Sequence, residues 1–250
     1  MAFDFTGQSI LVTGASRGIG RELTKALIKA GAVVYGLSSN KQLLDSLQQE
    51  CGESVRPVVV DLSDWDATRA AVEALPVMDG LVNNAGISYP WVASVDVPRD
   101  VIEKTLSVNL MAAINLTQIV GRKMVAAGRK GSIVNISSIN GLKPMRECMA
   151  YNISKAGLDM MTKQFAMELG PNNIRVNSVN PTVALTDMGR EHWENPPEKG
   201  ELLRGHTALG RFAEVDEVVG PILYLLSGYS SMVTGTTNPV EGGLLCYIKT

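Results

Sequence analysis

The sequence predicts an α/β fold in which helices cover both faces of one doubly wound parallel sheet. Short runs rich in β-branched residues alternate with longer segments of helical periodicity along the whole chain. A glycine-rich turn at 14–20 directly follows the first of these runs and precedes a helical pattern at 21–30. Nothing in the chain has the composition of a linker, so we expect about seven strands in a single domain spanning residues 1–250.

The composition excludes several classes of protein. Of the 250 residues 45% are hydrophobic, which is enough for a substantial core. The formal net charge of −2, without lysine- or arginine-rich runs, argues against binding to nucleic acid or to a membrane surface. No apolar run approaches the roughly 20 residues of a membrane span, and residues 1–4 do not begin a signal peptide. We therefore expect a soluble, cytoplasmic protein.

The three cysteines predict neither a disulfide framework nor a metal site. Cys51, Cys148 and Cys246 are an odd number, lie far apart and form no C-x-x-C pair. We expect no bound metal, and we interpret the cysteines as small side chains or single thiols.

The glycine-rich turn predicts a dinucleotide site of Rossmann type. Gly14, Gly18 and Gly20 follow a predicted buried strand at 9–13 with the spacing G-x-x-x-G-x-G. Glycines let the backbone approach a pyrophosphate, whose charge the amides and the positive end of the next helix stabilise. A plain connection between strand and helix is the alternative interpretation.

The residues after the second predicted strand favour NADP(H) over NAD(H). Ser38 and Ser39 occupy the place where an acidic residue would bind the ribose hydroxyls of NAD. Their small side chains leave space for a 2′-phosphate, and Arg17 and Lys41 offer positive charge. Both cations are ordinary surface residues in the alternative interpretation.

Two further strands end in residues suited to a ligand. Asp61 closes the third strand, where it can reach an adenine amino group. The fourth strand runs into Asn83, Ala85 and Gly86; asparagines there can join neighbouring strands, and the small residues let the backbone lie against a flat ligand. The next segment, 101–127, has helical periodicity throughout.

Asn109 lies in the middle of that long helical segment. Asparagine is unfavourable at such a position by propensity. Its side chain therefore either points into water or marks a local break in the helix.

Tyr151 and Lys155 form the pattern with the clearest chemical meaning. Four positions apart on a predicted helix at 151–169, they lie on one face. A cation near a phenol stabilises the phenolate and lowers its pKa from about 10 towards working pH. Ser138 ends the preceding strand, at the sheet edge where ligands bind in parallel sheets. Two solvated surface side chains are the alternative for the isolated Tyr–Lys pair.

The segment after the sixth strand predicts a substrate flap. Residues 187–210 are polar and long for a passive loop in a compact domain. Trp193 in this flap either packs over a substrate or anchors the flap to the core. A last helix at 215–226 and a last strand with a turn at 236–243 follow.

The motifs fall in the order and spacing of the short-chain dehydrogenase/reductase family, which the chain resembles over essentially its whole length. They are Thr13-Gly14-x-x-x-Gly18-x-Gly20, Asn83-Asn84-Ala85-Gly86, Asn109, Ser138, Tyr151-x-x-x-Lys155 and Pro181. Residues 61–65, 167–171, 180–183, 212–215 and 239–243, with Trp193, resemble its L-xylulose reductase branch, also called dicarbonyl or diacetyl reductase. The resemblance implies an NADPH-dependent, homotetrameric carbonyl reductase that acts on a ketose or dicarbonyl.

The resemblance also implies roles for individual residues. Tyr151 would donate a proton to the substrate oxygen, Ser138 would bond the same oxygen, and Lys155 would bond the nicotinamide ribose. Asn109 would hold a water that relays protons to Lys155. The implied cofactor-binding residues are Gly14, Ser16, Arg17, Gly18, Ile19, Gly20, Ser38, Ser39, Asp61, Leu62, Asn83, Ala85, Gly86, Tyr151, Lys155, Pro181, Val183 and Thr186. The implied substrate-binding residues are Ser138, Asn140, Cys148, Tyr151 and Trp193.

Other functions remain open from the sequence. A 3-oxoacyl-carrier-protein reductase shares the catalytic motifs but needs a basic patch for its acidic carrier. An NAD-linked alcohol dehydrogenase and a non-catalytic, cofactor-sensing scaffold are further alternatives. Two features depart from many relatives: Ser39 stands where they carry a basic residue, and the loop 139–150 has a different sequence from that of the best-known members.

Apolar surfaces predict subunit contacts. The helix at 151–169 carries Leu158, Phe165 and Leu169 near the Tyr151 face and Ile153, Met160, Met161 and Met167 elsewhere. The end of the chain, 244–248, is also apolar. We expect these segments to contact neighbouring subunits in the homotetramer that the resemblance implies.

Overall fold

The computed structural model describes residues 3–89, 91–193 and 197–246. Within these ranges seven parallel strands form one sheet in the order β3-β2-β1-β4-β5-β6-β7, which confirms the predicted fold class. The strands are β1 (Ser9–Thr13), β2 (Val33–Ser38), β3 (Val55–Val59), β4 (Gly80–Asn83), β5 (Gly131–Ile136), β6 (Ile174–Pro181) and β7 (Thr237–Val240).

Helices cover both faces of the sheet. They are α1 (Gly18–Lys29), α2 (Lys41–Cys51), α3 (Trp65–Glu73), α4 (Arg99–Leu106), α5 (Ala112–Ala126), α6 (Met149–Leu169), α7 (Asp187–Trp193), α8 (Pro197–Gly205) and α9 (Val215–Leu226). None of the helices in the described part of the chain combines the length and apolarity needed to cross a membrane.

Two apolar cores flank the sheet. In β1, Ile10 and Val12 join the core that includes residues of α1 and α9, whereas Leu11 between them joins the core with residues of α3 and α5. Alternate side chains of a strand point to opposite faces, so a strand buried on both faces is apolar throughout. This double burial explains why β1 appears in the sequence as a continuous apolar run.

Local capping fixes where several helices begin. The side chains of Asn40 and Asp64 accept hydrogen bonds from main-chain amides in the first turns of α2 and α3. Glu214 and Glu217 form a reciprocal capping box at the start of α9. The start and end of α9 agree with the sequence prediction, whereas the sequence analysis did not identify α2.

The long helical segment predicted at 101–127 is divided in the structure. A π-helical turn, Ser107–Met111, separates α4 from α5, and Asn109 lies within it. Asn109 is buried, so the expected local break is confirmed and the water-facing alternative is wrong. The predicted flap contains α7 and α8, with residues 194–196 lying outside the described ranges.

Candidate active site

A cleft of about 1260 Å³ lies beside the carboxyl ends of the strands. Its wall includes Gly14 after β1, Ala85 after β4, Ser138 after β5 and Pro181 at the end of β6. Parallel strands place these positions at one edge of the sheet, although they are far apart in the chain. The cleft therefore brings together most of the residues singled out in the sequence.

The glycine turn gives the cleft a close-packed floor. Gly14 and Gly18 have positive φ values of 64° and 54°, which side chains other than glycine rarely tolerate. A Cβ at Gly14 would stand 2.9 Å from Nδ2 of Asn84, and one at Gly20 would overlap the carbonyl oxygen of Gly14. Gly20 itself does not line the cleft; its role is to let α1 pack against the turn.

The N-terminus of α1 faces this floor without a side-chain cap. Arg17 occupies the N-cap position with an extended backbone and makes no capping hydrogen bond. The first amides of a helix lack partners inside the helix, and together with the helix dipole they favour an anionic ligand. A phosphate group placed against Gly14 and Gly18 would find such amides.

Small hydroxyl side chains and one arginine line the next part of the cleft. The Oγ atoms of Ser16 and Ser38 lie 2.9 Å apart, and Arg17 and Ser39 border the same space. Lys41 is not among the residues that line the cleft, and its ammonium pairs with Asp45 one turn later on α2 at 2.6 Å. Of the two cations, Arg17 is therefore the one that borders this space.

Asp61 and Lys104 meet where the adenine is expected. The main-chain amide and hydroxyl of Ser63 donate to Asp61 at 2.9 and 2.8 Å and lower the pKa of its carboxyl. Lys104 of α4 places its Nζ 4.0 Å from Asp61 Oδ2 and also lines the cleft. Sequence reasoning missed Lys104, because no local motif marks a lysine that enters the site from another helix.

Asn83 and Asn84 have different roles. Nδ2 of Asn83 donates to Oδ1 of Asn135 on β5 at 2.8 Å, so it joins neighbouring strands as predicted. It is not among the residues that line the cleft, and its expected cofactor contact stays a prediction. Asn84 does line it, and its Nδ2 donates to the carbonyl oxygen of Thr13 at 2.9 Å.

Ser138, Tyr151 and Lys155 converge on the opposite wall. Ser138 follows β5, and Tyr151 and Lys155 lie one turn apart near the start of α6. The Lys155 Nζ is 5.5 Å from the centre of the Tyr151 ring and donates to the carbonyl oxygen of Ile136 at 2.8 Å. Lys155 is only 4% exposed, so its ammonium acts in a medium of low dielectric constant.

The pKa values of this pair differ from the sequence expectation. Burial raises the pKa of Tyr151 to about 12, and a hydrogen bond with Ser138 offsets only part of that effect. Burial lowers the pKa of Lys155 to about 8, while the charge of Asp159 acts in the opposite direction. Lys155 is therefore not the dominant influence on the phenol here. At neutral pH Tyr151 is protonated, which is the form that a proton donor requires.

Asn109 lies behind the wall formed by Ser138, Tyr151 and Lys155, called the catalytic wall below. Its Oδ1 accepts from the amide of Ile87 at 2.8 Å, and its Nδ2 donates to the carbonyl of Ile87 at 2.9 Å and to Ser154 Oγ at 3.2 Å. A Cβ at Gly86 would lie 3.5 Å from Asn109 Oδ1 and 3.6 Å from Lys155 Nζ. Asn109 thus lies beside Lys155, although it does not line the cleft.

The remaining part of the wall is aromatic. The rings of Trp91 and Trp193 meet edge to face with centroids 5.1 Å apart, and the Lys199 ammonium lies 3.9 Å from the Trp91 centroid. All three line the cleft. Sequence analysis identified Trp193 but missed Trp91 and Lys199, which lie in different segments and share no motif.

Asn140 and Cys148 also line this side. Nδ2 of Asn140 donates to Oδ1 of Asn152 on α6 at 3.0 Å. Burial raises the pKa of the Cys148 thiol to about 11, so the thiol is protonated at neutral pH. Glu147 before it has a left-handed backbone, with φ of 62°, a strained state that often occurs at ligand sites.

The cleft therefore contains most of the predicted positions. Those that line it are Gly14, Ser16, Arg17, Gly18, Ile19, Ser38, Ser39, Asp61, Leu62, Ala85, Gly86, Ser138, Asn140, Cys148, Tyr151, Lys155, Pro181, Val183, Thr186 and Trp193. Gly20, Asn83 and Asn109 support it from outside through the contacts described above.

Known proteins resemble this chain over nearly its full length. Residues 8–197 match the family model described as short chain dehydrogenase. D-erythrulose reductase of Gallus gallus is 47% identical over 243 residues, 96% of this chain and 97% of that protein. L-xylulose reductase of Homo sapiens is 44% identical over 245 residues, 97% of this chain and 98% of that protein.

Solved structures share the fold as well. A structure assigned as an NAD(P)-dependent gluconate 5-dehydrogenase from Beutenbergia cavernae, with NADP bound, is similar with a TM-score of 0.91. The two chains are 31% identical, and the match covers 98% of this chain and 99% of that one.

Proposed function

This chain belongs to the short-chain dehydrogenase family, and we propose that it is an NADPH-dependent reductase of ketoses and dicarbonyls, with L-xylulose and diacetyl-like compounds as candidate substrates. The observation that carries the proposal is the convergence of Ser138, Tyr151 and Lys155 on one wall of a cleft of dinucleotide size. Full-length similarity to an L-xylulose reductase and a D-erythrulose reductase supports a ketose substrate.

The residues of the cleft fit a dinucleotide. A side chain at Gly14 would fill the floor of the turn, and the uncapped N-terminus of α1 offers amides to a pyrophosphate. Arg17, Ser38 and Ser39 would hold a 2′-phosphate. Asp61 and Leu62 would border the adenine, and Pro181, Val183 and Thr186 would border the nicotinamide end.

The proposed chemistry assigns a proton transfer to this chain. When bound, the cofactor supplies the hydride for the carbonyl carbon. Tyr151 donates its proton to the oxygen as negative charge develops there, and Ser138 stabilises the same charge by a hydrogen bond. The ammonium of Lys155 stabilises the phenolate that remains.

Proton resupply is assigned to the region of Asn109. We propose that a water beside Asn109 relays protons to Lys155. The π-helical turn supports it, because carbonyl groups that leave the α-helical pattern become available to water. The side chain of Asn109 is engaged with Ile87 and Ser154, so its proposed role is to hold the turn in place.

A substrate panel tests the proposed activity. We expect NADPH oxidation with L-xylulose, D-erythrulose and diacetyl, with Tyr151→Phe as the inactive control. Turnover of acetoacetyl thioesters alone would support the 3-oxoacyl reductase alternative. Turnover restricted to an alcohol with NAD⁺ would support the dehydrogenase alternative, and NADPH binding without turnover would support the sensing scaffold.

The segment 187–210 is assigned as the substrate flap, because it supplies Trp193 and Lys199 to the cleft.

A homotetramer is proposed because α6 exposes apolar side chains. We place the protein in the cytoplasm, since Cys51, Cys148 and Cys246 are all free thiols and a reducing compartment keeps thiols reduced.

A further inference from the structure

One buried carboxylate beside the cleft has no part in the proton transfer described above. Asp159 lies in α6 one turn after Lys155 and is 5% exposed. Its Oδ1 accepts from Ser178 Oγ at 3.1 Å, and its two oxygens accept from Asn180 Nδ2 at 3.1 and 3.0 Å. A carboxylate in the core is costly unless hydrogen bonds or a nearby cation compensate for lost hydration.

The donors to Asp159 lead directly to Ser138. Nδ2 of Asn180 also donates to the main-chain carbonyl of Ser138 at 3.0 Å. Ser178 Oγ lies 2.8 Å from Oδ1 of Asn180, so its single proton is shared between this oxygen and Oδ1 of Asp159. A Cβ at Gly141 would overlap Oδ2 of Asp159, so the turn after Ser138 packs directly against this carboxylate. The hydrogen bonds therefore tie the end of β5 to β6 and to α6.

We propose that Asp159 is a positioning residue for the active site: through Asn180 it fixes the main chain of Ser138, and it is the counter-charge of Lys155. This inference rests on the proposed reductase function. Asp159 does not itself line the cleft, so it acts through the neighbours that it contacts or faces, Asn180, Ser137 and Lys155. Its charge acts to raise the pKa of Lys155, which burial lowers to about 8.

The groups around the pair leave Asp159 as the acidic neighbour of Lys155. On α6, the ring centre of Tyr151 is 5.5 Å from the ammonium, with Cys148 beside the phenol, whereas Lys163, one turn after Asp159, and Glu168 are exposed. Among the described residues, the groups that contact the pair from β5, β6 and the turn after Ser138 are uncharged; they are Ser137, Ile136, Ser178, Asn180 and Gly141.

The test is the pH dependence of kcat in Asp159→Asn, which keeps the shape and removes the charge. In the wild type we expect reduction to decline as pH rises through about 8, because Lys155 loses its proton there. Without Asp159 the ammonium is less stable, so this decline should move to lower pH by roughly one unit. KM should stay within about two-fold, because Asp159 does not contact the substrate.

Two variants separate this role from a general structural one. Asp66→Asn removes an exposed carboxylate on α3 and should leave the pH profile unchanged. Asn180→Ala breaks the link to Ser138 and leaves Asp159 in place, so kcat should fall about ten-fold. Burial raises the pKa of Asp159 and Asn180 opposes that effect, so the decline should also move to lower pH, but by less than in Asp159→Asn. This second variant also serves if Asp159→Asn does not fold.

A measurement without turnover distinguishes failure of this inference from failure of the proposed function. Between pH 8 and 10.5 the unfolded chain holds a proton on Lys155 that the folded protein has lost, so Lys155 contributes a rise in stability to urea with pH. Above about pH 9 the raised pKa values of Cys148 and Tyr151 act in the opposite direction, so the rise is measured as the difference between the wild type and Lys155→Met. In Asp159→Asn this rise should begin at lower pH, and in Lys155→Met it should be absent. Identical urea and kcat profiles in wild type and Asp159→Asn would overturn the inference. An inactive wild type whose urea profile shifts as expected would refute only the function.

Discussion

At the scale of single residues, the environment of Tyr151 decides how its pKa serves the reaction. Tyr151 is half-buried in the wall of the cleft, and desolvation raises the pKa of its phenol to about 12, so it holds its proton at neutral pH. An alkoxide is a stronger base than a phenolate, so in the proposed mechanism the proton moves to the substrate only as hydride transfer builds charge on the oxygen. In that mechanism the cation of Lys155 stabilises a phenolate that exists only after transfer.

We expect Tyr151→Phe to reduce kcat at least about 10²–10⁴-fold, because it removes only the proton donor. Binding of NADPH should remain within a few-fold of the wild type, since the ring and the position of Lys155 are kept. Stopped-flow turnover and fluorescence titration with NADPH measure the two effects. Turnover close to that of the wild type would show that another group donates the proton.

The choice between the two nicotinamide cofactors also depends on single residues. We expect NADPH to bind more tightly than NADH, and Arg17→Ala to cost about 1.5–3 kcal/mol of NADPH binding through loss of a charge-assisted contact. Lys41→Ala is the matched control, because Lys41 pairs with Asp45 outside the cleft. Dissociation constants measured by calorimetry test this prediction, and equal affinities for NADPH and NADH in the wild type would contradict the predicted preference for NADPH.

At the scale of elements, the sequence predicted those features whose residues lie close together in the chain. The strand-turn-helix around Gly14 and the pairing of Tyr151 with Lys155 were readable because each lies within a few residues. The i, i+4 pair of Lys41 with Asp45 was local as well, but the sequence analysis did not identify it. Trp91 and Lys199 were missed because their contact joins segments that only the folded chain brings together.

For Asn109 and α2 the local sequence signal gave only part of the structure. Propensity indicated that the helix breaks near Asn109, but the partners of its side chain, Ile87 and Ser154, come from other elements. The helix α2 has a local signal, because Asn40 caps it and Leu44 and Leu47 are its buried residues. Its few apolar residues recur at helical spacing within an otherwise polar segment, and packing on β2 and β3 supplies further stability.

The junction of the glycine turn with α1 gives a prediction for an element. Gly20→Ala should force α1 away from the turn, because the new Cβ would overlap the carbonyl oxygen of Gly14. We expect a loss of about 1–3 kcal/mol in unfolding free energy and weaker NADPH binding. Urea unfolding and cofactor titration measure both.

A second helical glycine supplies the control for that substitution. Gly220 in α9 has open space around its Cβ position apart from its chain neighbours, so Gly220→Ala should leave cofactor affinity unchanged. Because Pro221 follows, contact of the new Cβ with the proline ring offsets the gain in helix propensity. Equal effects of the two substitutions would show that the contact with Gly14 does not matter.

At the scale of the whole molecule, the outer face of α6 is the feature that a single chain leaves unexplained. Ile153, Met160 and Met167 recur at every seventh position and are 51%, 63% and 67% exposed. Met161 and Leu158 point inwards and are buried, which corrects the idea that Met161 contacts a neighbour. Of the apolar segment 244–248, the structure describes residues up to Cys246, and residues 247–248 lie outside the described ranges.

We expect Met160→Glu to break the proposed homotetramer, because a charge would be buried where two copies of α6 meet. Since α6 also carries Tyr151 and Lys155, loss of that contact should loosen the catalytic wall and lower kcat along with thermal stability. Light scattering and activity across a dilution series measure both effects. Met232→Glu, at a residue that is 96% exposed and lies outside α6, is the matched control and should remain assembled and active. A wild type that is monomeric and fully active at every concentration would show that this face of α6 does not serve assembly.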